Sequence, residues 1–65
     1  MRITLNGKHI NIDEPYTVEY LLVKLELTGK LAVEINRNIV PRSQFPSHII
    51  KPDDDVEIVH AIGGG

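Results

Sequence analysis

The first twelve residues alternate between polar and apolar positions in two short runs. Residues 2–5 and 9–12 both follow a two-residue period, and Asn6-Gly7 between them is a dipeptide typical of tight turns. Neighbouring side chains on a strand point to opposite faces, so one face of this segment is apolar and carries Ile3, Leu5, Ile10 and Ile12. The pattern predicts a β-hairpin whose apolar face needs a cover.

The next segment changes to the period of a helix. Its apolar residues recur three or four positions apart, at Val18, Leu21, Leu22 and Leu25. Thr17 can accept hydrogen bonds from the amides of a first turn, and Glu19 lies where the helix dipole favours a negative charge. We expect an amphipathic helix of about three turns that ends at Gly29 and buries its leucines against the hairpin.

The remaining pattern predicts three more strands. Residues 31–36 are rich in β-formers, and residues 39–40 form a short return strand that stops at Pro41. Phe45 is expected to point inwards from the irregular stretch that follows. The segment 51–54 has proline at its second position and predicts a type I turn, after which residues 56–62 alternate as the last strand.

The predicted element order is β-β-α-β-β-β, which is an α+β arrangement with one helix packed across one face of a mixed sheet. Among such folds, the ubiquitin-like β-grasp fits this length best. The helix supplies the crossover between the second and third strands, so the first and last strands should be neighbours in the middle of the sheet. We expect one β-grasp domain over residues 1–62 and a flexible glycine tail over residues 63–65.

Composition narrows the possible functions. A chain of 65 residues has little room for a catalytic cleft, and with no cysteine it has neither disulfides nor a nucleophilic thiol of its own. Seven basic against nine acidic residues argue against nucleic-acid binding through a basic face. The apolar runs are too short to cross a membrane, and the N-terminus lacks the apolar core of a signal peptide, so we expect a cytoplasmic protein.

The chain closes with three glycines directly after the last predicted strand. A segment without side chains can lie in a channel only a backbone wide and deliver the Gly65 carboxylate to another protein's active site. An ionised carboxylate is a poor electrophile, but attack on the α-phosphorus of ATP would make it an acyl-adenylate. A sulfur nucleophile could then convert the adenylate to a thioester, an acyl persulfide or a thiocarboxylate, with all catalytic groups supplied by the partner.

Several segments together resemble one family. The NGK turn, the helix start TVEYLL, the central AVEINRNIVPRSQF, the strand DDDVEIVHAI and the terminal GGG resemble the sulfur carriers of thiamine biosynthesis, the ThiS family. The resemblance covers essentially the whole chain. Ubiquitin and the small subunit of molybdopterin synthase share the terminal diglycine, but INRNIVPR and the VEIVHAIGGG ending at this length favour the thiazole branch.

The resemblance implies a carrier that is modified by other proteins and is not itself an enzyme. An E1-like enzyme would adenylate Gly65 with ATP and magnesium, a cysteine protein would donate sulfur, and thiazole synthase would use the resulting thiocarboxylate. Gly64 and Gly65 match the diglycine motif of the family, and Gly63 lengthens the tail that enters the partner site. The carrier needs no cofactor or metal of its own.

The partner surface is predicted from the last strand. If Val56 and Ile58 face the helix, then Val59 and Ala61 face outwards and form a small apolar strip towards the tail. Docking and ordinary sheet surface are equally good interpretations of this strip. Ile62 is the better candidate for partner contact because an apolar residue just before the glycines has no obvious structural use.

Other polar groups are assigned structural roles. The acidic residues at positions 53–55 and 57 are expected to form a solvated turn, with steering towards a basic partner as the alternative. The three histidines are too scattered to predict a metal site, and His60 is expected to be packed or hydrogen-bonded at the strand end. Arg37 and Arg42 are surface residues that could bind acidic groups of a partner, while Tyr16 and Tyr20 are packing residues.

Three other functions remain open at the level of sequence. A protein modifier would form isopeptide bonds through the same terminus, and a molybdopterin-type carrier would dock into a different synthase. A purely non-covalent β-grasp binding module would not need the terminal glycines.

Overall fold

Five strands and one α-helix form the part of the chain that the computed structural model describes, residues 1–13 and 15–60. The elements in chain order are β1 Arg2–Leu5, β2 Lys8–Asn11, α1 Val18–Lys24, β3 Leu31–Ile35, β4 Asn38–Val40, a 3₁₀ turn at Arg42–Gln44 and β5 Asp55–His60. Within these residues, no helix has the length and apolar character needed to cross a membrane. Residues 61 and 62 of the predicted last strand, and the predicted tail, lie outside the described residues.

The strands form one mixed sheet in the order β2-β1-β5-β3-β4. β1 and β5 are adjacent and parallel, with Thr4 opposite Asp55, while the other pairs are antiparallel. Both the β-grasp order and the central position of the first and last strands are therefore confirmed. β5 lies between β3, which pairs with it from Val56 to His60, and β1, which pairs with it at Asp55 and Val56.

Two tight hairpins shape the two outer edges of the sheet. Asn6 and Gly7 between β1 and β2 have φ angles of 48° and 83°, and Asn36 and Arg37 between β3 and β4 have φ angles of 51° and 70°. Positive φ at both central residues is the turn geometry whose twist matches that of paired strands. The predicted Asn6-Gly7 turn is thus confirmed.

The core lies between one face of the sheet and the helix. Its buried apolar residues come from β1, β3, β4 and β5, from the helix, from the residue after β2 and from the irregular segment before β5: Ile3, Ile12, Val18, Leu21, Leu22, Val33, Ile35, Val40, Phe45, Ile50, Val56 and Ile58. Leu5 and Ile10 pack against this cluster while partly exposed. The predicted apolar face of the hairpin, the inward Phe45 and the inward Val56 and Ile58 are confirmed.

The helix is shorter than its sequence pattern predicts. Thr17 caps its start, as expected, because the hydroxyl accepts a hydrogen bond from the Tyr20 amide at 3.1 Å. The helix ends at Lys24 after about two turns, and Leu25 is 36% exposed. The predictions of a third turn, a stop at Gly29 and a buried Leu25 were wrong.

The helix ends early because Glu26 adopts the left-handed conformation, with φ at 57°. The Glu26 amide donates to the Val23 carbonyl, and the Leu27 amide donates to the Leu22 carbonyl, both at 3.0 Å. This pair of bonds is the Schellman motif that satisfies the last carbonyls of a helix. Glycine usually fills the position of Glu26, which is why the sequence gives no sign of this stop.

The turn before β5 forms at the predicted place with a different geometry. The Asp54 amide donates to the Lys51 carbonyl at 3.2 Å, which closes the turn. Asp53, however, has φ at 67°, and a positive φ at the third position indicates a type II turn. The predicted type I geometry was therefore wrong, because Asp53 occupies the position that glycine or asparagine usually takes.

Candidate functional site

The structure describes only part of the predicted site, because the described residues stop at the end of β5. Gly63, Gly64 and Gly65, together with Ala61 and Ile62, lie outside the described residues. β5, which leads to them, is described as far as His60. The geometry of this strand and its surroundings is therefore what the structure contributes to the site.

A side-chain amide holds the second half of β5. The Oδ1 atom of Asn6 accepts a hydrogen bond from the Ile58 amide at 2.8 Å, and its Nδ2 donates to the Ile58 carbonyl at 3.2 Å. The side chain of Asn6 thus continues the hydrogen bonds of the parallel β1–β5 pair beyond Leu5, the last residue of β1. It keeps the strand ordered on the side that leads towards the tail.

A second amide and a carboxylate hold the start of β5. Asn36 Oδ1 accepts from the Asp55 amide at 2.9 Å, and Asn36 Nδ2 donates to Asp54 Oδ1 at 3.0 Å. Asp54 Oδ2 accepts from the Lys51 amide at 2.8 Å. Asp54 is only 8% exposed, so the prediction of a solvated acidic turn was wrong for this residue. The prediction of a solvated acidic residue is confirmed for Asp53, Asp55 and Glu57, which are all exposed.

The outer face of the sheet carries exposed apolar side chains beside β5. Val59 is 58% exposed and lies opposite Ala32 on β3, which is exposed as well. Ile39 on the edge strand β4 is 75% exposed. The outward orientation of Val59 is confirmed, whereas Ala32 and Ile39 could be added only once the strand order and register were known. We call Val59, Ala32 and Ile39 the outer-face patch.

Carboxylates lie within the same face. Glu34 is directly opposite Glu57 on β5 and directly opposite Ile39 on β4. Like charges in direct cross-strand register are unfavourable.

The histidines are dispersed, as predicted. His9 Nδ1 lies 3.1 Å from Thr4 Oγ1 on the neighbouring strand. His60 was predicted to be packed or hydrogen-bonded at the end of β5; it is exposed there, so the packing alternative was wrong, and the hydrogen bond stays a prediction. In the described part of the chain, no group of three histidine or acidic residues could hold a metal ion.

The tyrosines form an aromatic pair on the outside of the helix. The rings of Tyr16 and Tyr20 meet edge to face with centroids 5.0 Å apart, and the Lys24 ammonium lies 6.0 Å from the Tyr20 ring centroid. Burial raises the pKa of the Tyr16 phenol, and the neighbouring Tyr20 and Asp13 add to this increase. A phenol with a raised pKa stays protonated at neutral pH, which agrees with a packing role and not with a nucleophile.

Three open grooves lie on the described surface. Three grooves have volumes of about 250, 220 and 260 Å³. Pockets for small molecules typically have volumes of about 300 to 1,000 Å³. All three grooves are smaller than this range.

Comparison with known proteins gives a consistent result. The sequence matches the ThiS family over residues 2–65. The sulfur carrier protein ThiS of Escherichia coli (strain K12) is 33% identical over 66 residues, and the alignment covers all of both chains. The crystal structure of a thiamine biosynthesis protein (ThiS) from Geobacter metallireducens superposes with a TM-score of 0.89 at 33% identity, again over all of both chains.

A longer relative contains a similar segment. A thiazole synthase of Magnetococcus marinus is 41% identical over 66 residues, and the match covers all of this chain but 20% of that protein. The chain thus spans about a fifth of the length of this relative.

Proposed function

The chain belongs to the ThiS family, and on this premise we propose that it carries sulfur on its C-terminal glycine for thiazole formation in thiamine biosynthesis. The observation that supports this most strongly is the extent of the family match, which runs to Gly65 and includes the whole glycine tail. The full-length similarity to a protein named as a sulfur carrier adds to it. The resemblance read from the sequence is thereby confirmed at the level of the family.

We propose that activation begins with adenylation of Gly65. One oxygen of its carboxylate attacks the α-phosphorus of ATP, pyrophosphate leaves, and an acyl-adenylate forms. An E1-like partner supplies ATP, magnesium and the groups that stabilise the developing charge.

Sulfur then replaces one oxygen. A persulfide on a donor cysteine of another protein attacks the Gly65 carbonyl carbon and expels AMP, which gives an acyl disulfide. A second thiol cleaves the sulfur–sulfur bond, becomes disulfide-bonded to the donor cysteine, and releases the thiocarboxylate. Gly63 and Gly64 carry no side chains, so they suit a narrow channel that admits the terminus to each active site.

Thiazole synthase is the proposed acceptor. A relative bearing that name contains a segment 41% identical to this chain, and covalent joining brings a carrier and its acceptor together permanently, at a high effective concentration. The outer-face patch is proposed to contribute to docking because it adjoins β5, with Ala61 and Ile62 continuing the contact towards the tail. Exposed apolar residues that cluster near a reactive terminus are a common form of interaction surface.

Intact-mass spectrometry tests the proposed function. Incubation with the E1-like enzyme, ATP, magnesium and a sulfur donor should add about 16 Da, the difference between sulfur and oxygen, and fragmentation should place it at Gly65. A chain lacking Gly65 is the matched control and should stay unchanged. Absence of the mass increase with an enzyme that is active on its own carrier would contradict the proposal.

A rescue experiment tests the pathway. The full chain should restore growth of a thiamine auxotroph that lacks its sulfur carrier, and the chain without Gly65 should not. Conversion to a thiocarboxylate without rescue would point to a molybdopterin-type carrier, and stable conjugates with lysines of other proteins would point to a protein modifier.

A further inference from the structure

A groove runs along the helix on the side opposite the outer face of the sheet. Its walls are the helix, the loop after it and the segment that follows β4. Its lining combines the apolar Leu22, Val23, Leu27, Leu31 and Phe45 with the charged Glu19 and Arg42. We call it the helix-side groove. Its volume is about 260 Å³, which suits one or two side chains better than a small molecule.

Val23 is an exposed aliphatic residue of the groove. It is 65% exposed on the last turn of the helix, whereas Leu22 beside it is buried in the core. The core therefore does not require an aliphatic residue at position 23. Arg42 lies at the opposite wall, where its guanidinium donates a hydrogen bond to the Gly29 carbonyl at 2.8 Å and keeps that wall in place.

The groove begins beside the end of β5. Leu31, in the groove lining, is the cross-strand partner of His60, the last described residue of β5. Opposite residues of an antiparallel pair lie about 5 Å apart. The groove is therefore at the base of the segment that carries Gly65.

The length of that segment limits where a partner can sit. Five residues follow His60 in the sequence, and five extended residues span at most about 17 Å. A stable interface covers about 800 Å² on each protein, equivalent to a patch with a radius of about 16 Å. An enzyme that holds Gly65 in its active site therefore lies close to His60, and the helix-side groove is within the area that an interface of this size can cover.

We propose that the helix-side groove receives an apolar side chain of the enzyme that adenylates Gly65. The inference rests on the proposed function, because the length argument applies only to a partner that holds Gly65. Thiazole synthase would be subject to the same limit, and the test below separates it from the adenylating enzyme. Val23 contacts the inserted side chain, and Leu27 and Leu31 form the floor.

Two substitutions at Val23 test the proposal. Val23→Asp places a charge in the groove, and Val23→Ala removes two methyl groups while favouring the helix. With the full chain and the E1-like enzyme, we expect V23D to raise the dissociation constant and the KM at least about tenfold, and V23A to raise them about threefold. The kcat at saturating carrier should stay unchanged because Val23 is remote from the reacting carboxylate.

Ile49→Asp is the matched control. Ile49 is 48% exposed and does not line this groove, so I49D should bind within twofold of the unmodified chain. Thermal unfolding of each variant checks that the fold is intact, and V23A keeps the test valid if V23D is unstable.

The outcomes separate the two proposals. If the unmodified chain gains sulfur and both Val23 variants bind normally, the groove inference is wrong and the proposed function stands. If the unmodified chain gains no sulfur with an active enzyme, the proposed function is contradicted, and the groove inference that rests on it falls as well. Self-association that depends on Val23, or an effect of V23D on thiazole synthase alone, would also overturn the assignment of the groove to the adenylating enzyme.

Discussion

Glu26 occupies a backbone conformation that glycine adopts at least cost. A left-handed φ costs an L-residue about 1 to 2 kcal/mol, and glycine loses about 0.5 to 1 kcal/mol in conformational entropy. Glu26→Gly should therefore raise the free energy of unfolding by about 0.5 to 1 kcal/mol, as measured by urea denaturation. Glu19→Gly, in the right-handed first turn, should lower it by about 1 kcal/mol. Equal effects of the two changes would contradict the left-handed assignment.

Asp54 is the acidic residue whose loss should matter most to stability. Its carboxylate accepts hydrogen bonds from the Lys51 amide and the Asn36 side chain while only 8% exposed. Asp54→Ala leaves both donors without an acceptor and should cost about 2 to 3 kcal/mol in urea denaturation. Asp55→Ala, at an exposed neighbour, should change the same quantity by less than about 0.5 kcal/mol. Similar losses at both positions would show that the carboxylate network is not what stabilises this turn.

The residues that sequence reasoning misplaced have a common cause. The periodic pattern assigned Leu25 to the core, but the left-handed Glu26 next to it ends the helix. Asp53 likewise takes a left-handed conformation that changes the type of the turn. Non-glycine residues at positive φ have only a weak sequence signature, so these local geometries could not be predicted from the pattern.

At the level of elements, the side-chain amides of Asn6 and Asn36 extend the hydrogen-bond ladder of the central strand β5. Asn6→Asp is nearly isosteric but replaces the donor to the Ile58 carbonyl by a carboxylate oxygen. The change should cost about 1 to 3 kcal/mol at neutral pH. Asn11→Asp, exposed on β2, is the matched control and should be nearly neutral.

The Asn6→Asp effect should depend on pH in a definite direction. A protonated aspartate regains an O–H donor, so the stability difference from the unmodified chain should narrow as pH falls through about 4. Urea denaturation at several pH values measures this. A difference that stays constant from neutral to acidic pH would show that the lost donor is not the cause.

The alternation of apolar and polar residues correctly predicted which strand residues are buried. Alternation placed Ile3, Val56 and Ile58 on the buried face, and the crossover argument placed β1 beside β5. The cross-strand pairs could not be obtained in this way, because register between strands distant in sequence depends on the packed sheet. Ala32 and Ile39 therefore entered the candidate docking surface only from the structure.

At the level of the molecule, the domain and the chemistry should be separable. The described core extends from Ile3 to Ile58, before the glycine tail begins. Deleting residues 63–65 should therefore change the free energy of unfolding by less than about 0.5 kcal/mol while abolishing the mass increase at the terminus. Leu21→Ala, in the core, should instead cost about 2 to 5 kcal/mol. A large loss of stability on deletion would show that the tail belongs to the folded domain.

The parallel pairing of β1 with β5 also has a mechanical consequence. Met1 lies at the start of one central strand and His60 at the end of its neighbour, so tension applied between them acts along both strands in opposite directions. The hydrogen bonds from the Thr4 amide to the Asp54 carbonyl and from the Asn6 amide to the Val56 carbonyl, both 2.9 Å long, are then loaded in shear. They must break together and cannot unzip one at a time. Tension between Met1 and His60 therefore meets the domain in its shear direction, in which the β1–β5 hydrogen bonds share the load.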